Sequence, residues 1–222
     1  MSGKTVAMIP ARLGSQRLRK KNLQPFGEMT LIEYAIFRCK SSGVFDEIYV
    51  NSESDVFAEY AESANVRFYK RPDSLGDNVS TSEEFVQDFL TNVECEDLFQ
   101  IHSITPLLAP AEIKDFVIFC SENRQYDTVL SCIEDQIEVA YNNRPVNFSL
   151  HQKTNSQDLI PTQRVTWSAT KWSRRVYLDA KANGKIGTYS GNIGFYSVGT
   201  FSGLAIKTEA DLNIATALKD VL

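Results

Sequence analysis

Short apolar runs and helical stripes alternate along the chain as far as Asp135. Runs with strand character lie at Thr5–Pro10, Glu47–Asn51, Arg67–Lys70, Asp97–His102 and Thr128–Ile133. Between them, apolar residues recur at helical spacing. Leu31, Ile32, Ala35, Ile36 and Cys39 make one stripe, and Phe85, Val86, Phe89, Leu90 and Val93 make another. Ile113, Phe116, Val117 and Cys120 make a third. Helix-start signals agree: Thr30-x-x-Glu33 and Ser80-x-x-Glu83 fit capping boxes, and Pro110 suits a first turn. The alternation predicts an α/β protein, a mostly parallel sheet covered by helices on both faces in three layers. From Glu134 to Ser190 the period weakens. This predicts a small inserted segment around residues 135–190, a lid over the site or a dimerisation element, within a single domain spanning residues 1–222. Asn192–Val198 returns as a strand and Thr208–Leu222 closes as a helix.

The chain has 222 residues, 43% hydrophobic and 23% charged, which is ordinary for a soluble globular domain. No apolar run approaches the roughly 20 residues that cross a bilayer. Met1-Ser2-Gly3-Lys4 leads into the first strand without a secretory pattern, so a cytoplasmic protein is expected. Cys39, Cys95, Cys120 and Cys132 form no Cys-x-x-Cys pair and read as packing thiols.

Charge changes the picture. The net charge is −5, yet Arg12, Arg17, Arg19, Lys20 and Lys21 crowd one loop, with no acid before Glu28. Lys153, Arg164, Lys171, Arg174, Arg175, Lys181 and Lys185 face only Asp158 and Asp179 between His151 and Ser190. Two basic stretches on an acidic protein suggest small anionic ligands and argue against nucleic acid. In such sheets ligands sit beyond the carboxyl ends of the strands. That puts the Arg12–Asn22, Arg71–Thr81 and Ser103–Ala109 loops on one rim.

The first loop carries neither Gly-x-Gly-x-x-Gly nor a P-loop. Gly14 allows close backbone approach to a phosphate, and Ser15 adds a hydroxyl donor. Arg12, Arg17 and Lys21 could stabilise charge on phosphates, and Asn22 could read a base edge. His102 sits at a strand end without a Ser or Cys partner, which speaks against a hydrolase triad. Trp167 and Trp172, near Arg164, Lys171 and Arg174, read as core or interface aromatics or as a cation–π wall.

The run Ile9-Pro10-Ala11-Arg12-x-Gly14-Ser15-x-Arg17-x-x-x-Lys21-Asn22 resembles the signature of the CMP-sugar synthetases. These cytidylyltransferases activate sialic acids and related 2-keto-3-deoxy acid sugars. Leu31-Ile32-Glu33-Tyr34, Arg71-Pro72 with Asp77 and Ser80-Thr81, Thr105-Pro106-Leu107, and Ile206-x-Thr208-x-x-Asp211-Leu212 resemble further segments of that family. The resemblance implies a nucleotide-diphospho-sugar-transferase-like, Rossmann-like fold. It implies attack of the sugar's anomeric hydroxyl on the α-phosphorus of CTP, with release of pyrophosphate. By position, Ala11, Arg12, Gly14, Ser15, Arg17, Lys21, Asn22, Arg71, Ser80 and Thr81 would bind the nucleotide, with Arg12 and Lys21 catalytic. His102, Arg164 and Lys207 would meet the acidic sugar. Mg²⁺ is implied, with Asp211 as a ligand, and so is a homodimer.

Departures accompany the likeness. Leu108 stands where the family has Arg, His102 where it has Gln, and Gln16 where it has Lys. Ala205 and Lys207 occupy the positions of the family's metal-holding Asp-x-Asp pair. Two other readings follow: a non-catalytic relative that binds nucleotide or CMP-sugar, and a nucleotidyltransferase for another base or sugar.

Overall fold

The computed structural model describes residues 3–77 and 79–219. In chain order the elements are β1 (Thr5–Pro10), β2 (Pro25–Phe26), β3 (Met29–Thr30), α1 (Leu31–Ser42), β4 (Glu47–Ser52), α2 (Val56–Ser63) and β5 (Arg67–Lys70). Then come α3 (Ser82–Asn92), β6 (Asp97–Ile101), α4 (Pro110–Glu122), β7 (Thr128–Asp135), β8 (Ala140–Tyr141) and β9 (Arg144–Pro145). The chain closes with β10 (Thr162–Ser173), α5 (Arg174–Ala182), β11 (Ile193–Ser197) and α6 (Glu209–Lys219). The expected closing helix therefore begins after Thr208, and its last residues lie outside those described.

Seven strands form one sheet in the order β11-β7-β10-β6-β1-β4-β5. Every pairing is parallel except the two made by β10. β1 lies between β4 and β6, so the strand order reverses there and opens a crevice at its carboxyl end. Both faces are covered. Ile9, Ile36, Val50, Phe57, Phe99 and Phe116 pack with α1, α2 and α4, while Val6, Met8, Val86, Phe89, Trp172 and Tyr177 pack with α3 and α5. This double burial explains why the β1 sequence is continuously apolar.

Local signals act largely as read. Thr30 and Glu33 close a capping box on α1, and Pro110 opens α4. Cys39, Cys120 and Cys132 are buried, free thiols. Burial pushes the Cys39 and Cys120 thiols up to about 12, so both pack as neutral groups.

Two expectations are corrected. The box on α3 is Thr81 with Glu84, not Ser80 with Glu83. Both pairs have the required spacing, but Glu83 is drawn inward, where it accepts from Lys181 Nζ at 2.6 Å and from the Gly187 and Thr188 amides at 3.3 Å. The supposed insertion is also much shorter than residues 135–190. Thr162–Ser173 is an interior sheet strand, antiparallel to β6 and β7. Its buried Thr166, Ser168, Thr170 and Lys171 hide it from an apolar count. Three of them find partners: Thr166 with the Ser131 hydroxyl at 2.9 Å, Ser168 with the Ser202 carbonyl at 2.9 Å, and Lys171 with Asp97 at 3.0 Å. Between β7 and β10, β8 and β9 form a separate two-stranded sheet.

Candidate active site

The loop after β1 leaves the sheet at the strand-order reversal, and the chain's own polar groups hold it there. The Ala11 amide donates to the Asn51 carbonyl at 2.9 Å, and the Leu13 amide donates to Glu53 Oε1 at 2.9 Å. Arg71, buried beneath the loop, donates to the Ala11 carbonyl at 2.9 Å and pairs with Glu53 at 2.7 Å. Its guanidinium also lies 4.9 Å from the Phe85 ring. Asn22 Nδ2 donates to the Arg12 carbonyl at 2.9 Å, while Asn22 Oδ1 accepts from Ser103 at 2.7 Å. Arg71 and Asn22 thus serve as internal ties. The sequence reading expects Arg71 to contact the base or ribose and Asn22 to read a base edge; both side chains are buried here. Ser80 likewise turns to the Ser74 carbonyl at 2.6 Å, within a turn that Asp77 organises.

What remains at the surface of the loop is cationic. Arg17 is exposed, and Arg12 and Lys21 are partly exposed. Arg12 reaches the Asp77 carbonyl at 3.1 Å. Lys21 Nζ reaches the Ile206 carbonyl at 3.1 Å. Burial holds the Lys21 ammonium below its usual range, and Arg17, Arg12 and Lys207 push the same way against Asp211. A Cβ built on Gly14 would meet nothing, so this glycine leaves open space at the rim.

Beside the loop runs a cleft of about 1160 Å³, lined by Thr81, Gln100, His102, Arg164, Trp167, Tyr189, Phe201 and Lys207 among others. Trp167 enters it from a bulge in β10 where its φ is 60°, and its ring lies 6.0 Å from that of Tyr189. His102 follows β6 directly, and burial pushes its pKa down to about 4, with Lys21 adding to the shift. It is neutral at pH 7, and its Nε2 lies 2.6 Å from Gln100 Nε2. Gln100 Oε1 is buried without a partner. Arg164 pairs with Asp135 at 2.8 Å, and Lys181 pairs with Glu83. Lys207 makes no ion pair among the described residues.

Some of these positions went unread in the sequence. Gln100 was hidden in an apolar strand, although an amide within Leu98-Phe99-Gln100-Ile101 is itself a signal. Arg38 is fully buried on the α1 stripe, between Ala35 and Cys39. It donates to the carbonyls of His102, Thr105 and Leu108 at 3.1, 2.9 and 2.8 Å, and so shapes the turn that carries His102. A cation on an apolar helical face was the available clue.

The cytidylyltransferase family model matches residues 6–202. The chain belongs to the cytidylyltransferase family. This cytidylyltransferase-family chain is 29% identical over 132 residues to an N-acylneuraminate cytidylyltransferase of Escherichia coli O18:K1:H7, covering 59% of the chain and 32% of that protein. It is 28% identical over 168 residues to a pseudaminic acid cytidylyltransferase of Campylobacter jejuni subsp. jejuni serotype O:2, covering 70% of the chain and 72% of that protein. The chain thus spans about a third of the first relative's length. Its fold is similar to that of a CMP:2-keto-3-deoxy-manno-octonic acid synthetase complexed with CTP, with TM-score 0.75, 17% identity and coverage of 98% and 99% of the two chains.

The donors present in this family member do not fit a protein-held divalent cation. No group of three His, Cys, Asp or Glu converges among the described residues. Asp211 Oδ2 already accepts from the Lys207 amide at 2.9 Å, the Thr208 amide at 2.8 Å and the Thr208 hydroxyl at 2.9 Å. Its carboxyl is held below the usual range by these bonds, the Lys207 amide foremost, as suits a helix cap. Among the described residues no helix is long and apolar enough to cross a membrane.

Proposed function

We propose that this chain transfers the cytidylyl group of CTP to an acidic sugar of the 2-keto-3-deoxy class. One juxtaposition carries the reading: a cationic loop at the strand-order reversal adjoins a cleft large enough for a sugar. The anomeric oxygen bonds to the α-phosphorus. The bond from that phosphorus to the oxygen bridging to the β-phosphate breaks, and pyrophosphate leaves with the electron pair. The hydroxyl proton passes to solvent. Arg12 and Lys21 stabilise the negative charge that builds on the phosphate oxygens, assisted by Arg17 and the Ser15 hydroxyl. Thr81 lies where the cleft meets the nucleotide side. On the sugar side, neutral His102 and the Gln100 amide offer hydrogen bonds, Trp167 and Tyr189 offer an apolar wall, and Arg164 offers charge to the carboxylate.

The reading extends to a homodimer formed through the β8–β9 excursion, where Tyr141, Leu150 and Ile160 are 73%, 73% and 77% exposed. Light scattering should give twice the chain mass, and a monomer would remove this part.

Pyrophosphate release tests the main reading. Release is expected with CTP and one of N-acylneuraminic acid, pseudaminic acid or 2-keto-3-deoxy-octonic acid, and not with UTP, GTP or ATP. Nucleotide binding without release for every sugar would favour a non-catalytic relative, and release with another nucleotide would overturn the choice of CTP.

A further inference from the structure

From the far end of the chain the loop is met by Lys207, a cation where a metal site would carry negative charge, and by Asp211. Lys21 Nζ donates to the Ile206 carbonyl at 3.1 Å, which docks the loop on the residue preceding Lys207. The Ile206 amide donates to the Ile104 carbonyl at 2.7 Å, and Ile206 is fully buried. The segment is therefore anchored on both sides, and its geometry does not depend on a ligand. Lys207 lines the cleft, is exposed, and has no ion pair among the described residues. Asp211, four residues further on, is engaged as the cap of α6. Arg12, Arg17 and Lys207 all raise the potential at the Lys21 ammonium, which Asp211 offsets only in part. Like charges gathered at one rim are unfavourable until an anion joins them.

We propose that Lys207 joins Arg12, Arg17 and Lys21 in a pyrophosphate-binding site that needs no protein-held divalent cation. Its ligand is a diphosphate group, either the β- and γ-phosphates of the nucleotide or free pyrophosphate. Four cations provide the charge neutralisation and hydrogen-bond donors for the terminal phosphates. The inference rests on the reading of the chain as a nucleotidyltransferase, but its test is a binding measurement that does not require turnover.

Calorimetric titration of inorganic pyrophosphate into the full chain, in EDTA, provides that test, with CMP titrated in parallel. The wild type is expected to bind pyrophosphate in EDTA. Lys207→Ala is expected to weaken that binding by about tenfold or more while changing CMP binding by less than about twofold. Circular dichroism melts should match, because the side chain is exposed. Three results would overturn the inference: wild-type binding only when Mg²⁺ is added, an unchanged Lys207→Ala affinity, or equal weakening for pyrophosphate and CMP. Failure to release pyrophosphate with any sugar would instead strike the proposed function and leave this binding result intact.

Discussion

The two sides of the rim are built by opposite means. On the β1 side, polar side chains are turned inward: Arg71, Glu53 and Asn22 tie the loop to the sheet and leave Arg12, Arg17 and Lys21 at the surface. On the β10 side, Arg164 and Lys181 are neutralised by Asp135 and Glu83, and the cleft is faced by Trp167, Tyr189, neutral His102 and Gln100. The first side is organised around charge, the second around shape and neutral hydrogen bonds. In the proposed reaction the polyphosphate belongs on the first, and the bulky sugar, whose single carboxylate meets Arg164, on the second.

The largest expected effect comes from the support of the charged side. Arg71→Met would leave the partly buried Glu53 without its cation and the Ala11 carbonyl without its donor. A loss of roughly 3–5 kcal/mol is expected in urea denaturation. An unchanged midpoint would show that the loop does not depend on this tie. Next is the loop's own cation. Lys21→Ala is expected to lower kcat/KM for CTP by about 10²–10³ with little change in stability. A loss shared equally by the sugar KM would blur the division between the two sides.

The charged side was also the legible side. Its cations sit within one short loop, and β1 reads as an apolar run because both faces of a parallel sheet are covered. The Lys21–Ile206 bond brings the segment that carries Lys207 to this loop. The β10 side was largely illegible. Its central strand buries Thr166, Ser168 and Lys171, whose partners come from other strands and loops, and Thr170 beside them. No local pattern announces a polar residue satisfied at long range. For Arg71 and Asn22, residue type tells what each group can bond, while burial shows that the chain itself uses them.

Smaller effects sharpen the neutral side. Trp167→Ala is expected to raise the sugar KM by about tenfold while leaving the CTP KM unchanged. A shift in the CTP KM instead would extend the nucleotide site across the cleft. The smallest effect is a pH dependence. His102 has a folded pKa of about 4, below its unfolded value, so the unfolded chain binds the extra proton between those limits. Stability from this group is full above the ordinary histidine pKa near 6.5 and is lost as pH falls towards about 4. His102→Gln should flatten that part of the stability–pH curve. NMR titration should show one of the two histidines, His102 and His151, still neutral at pH 5. Two ordinary titrations would place charge on the side described as neutral.

Product identity tests the joint use of the two sides most directly. The chain would be incubated with CTP and the sugar that supports turnover, and the products followed by mass spectrometry with pyrophosphate assayed in parallel. The expected result is a CMP-linked acidic sugar formed one-for-one with pyrophosphate. Pyrophosphate accompanied by free CMP alone, or a CMP adduct that forms equally well with a neutral sugar, would contradict it.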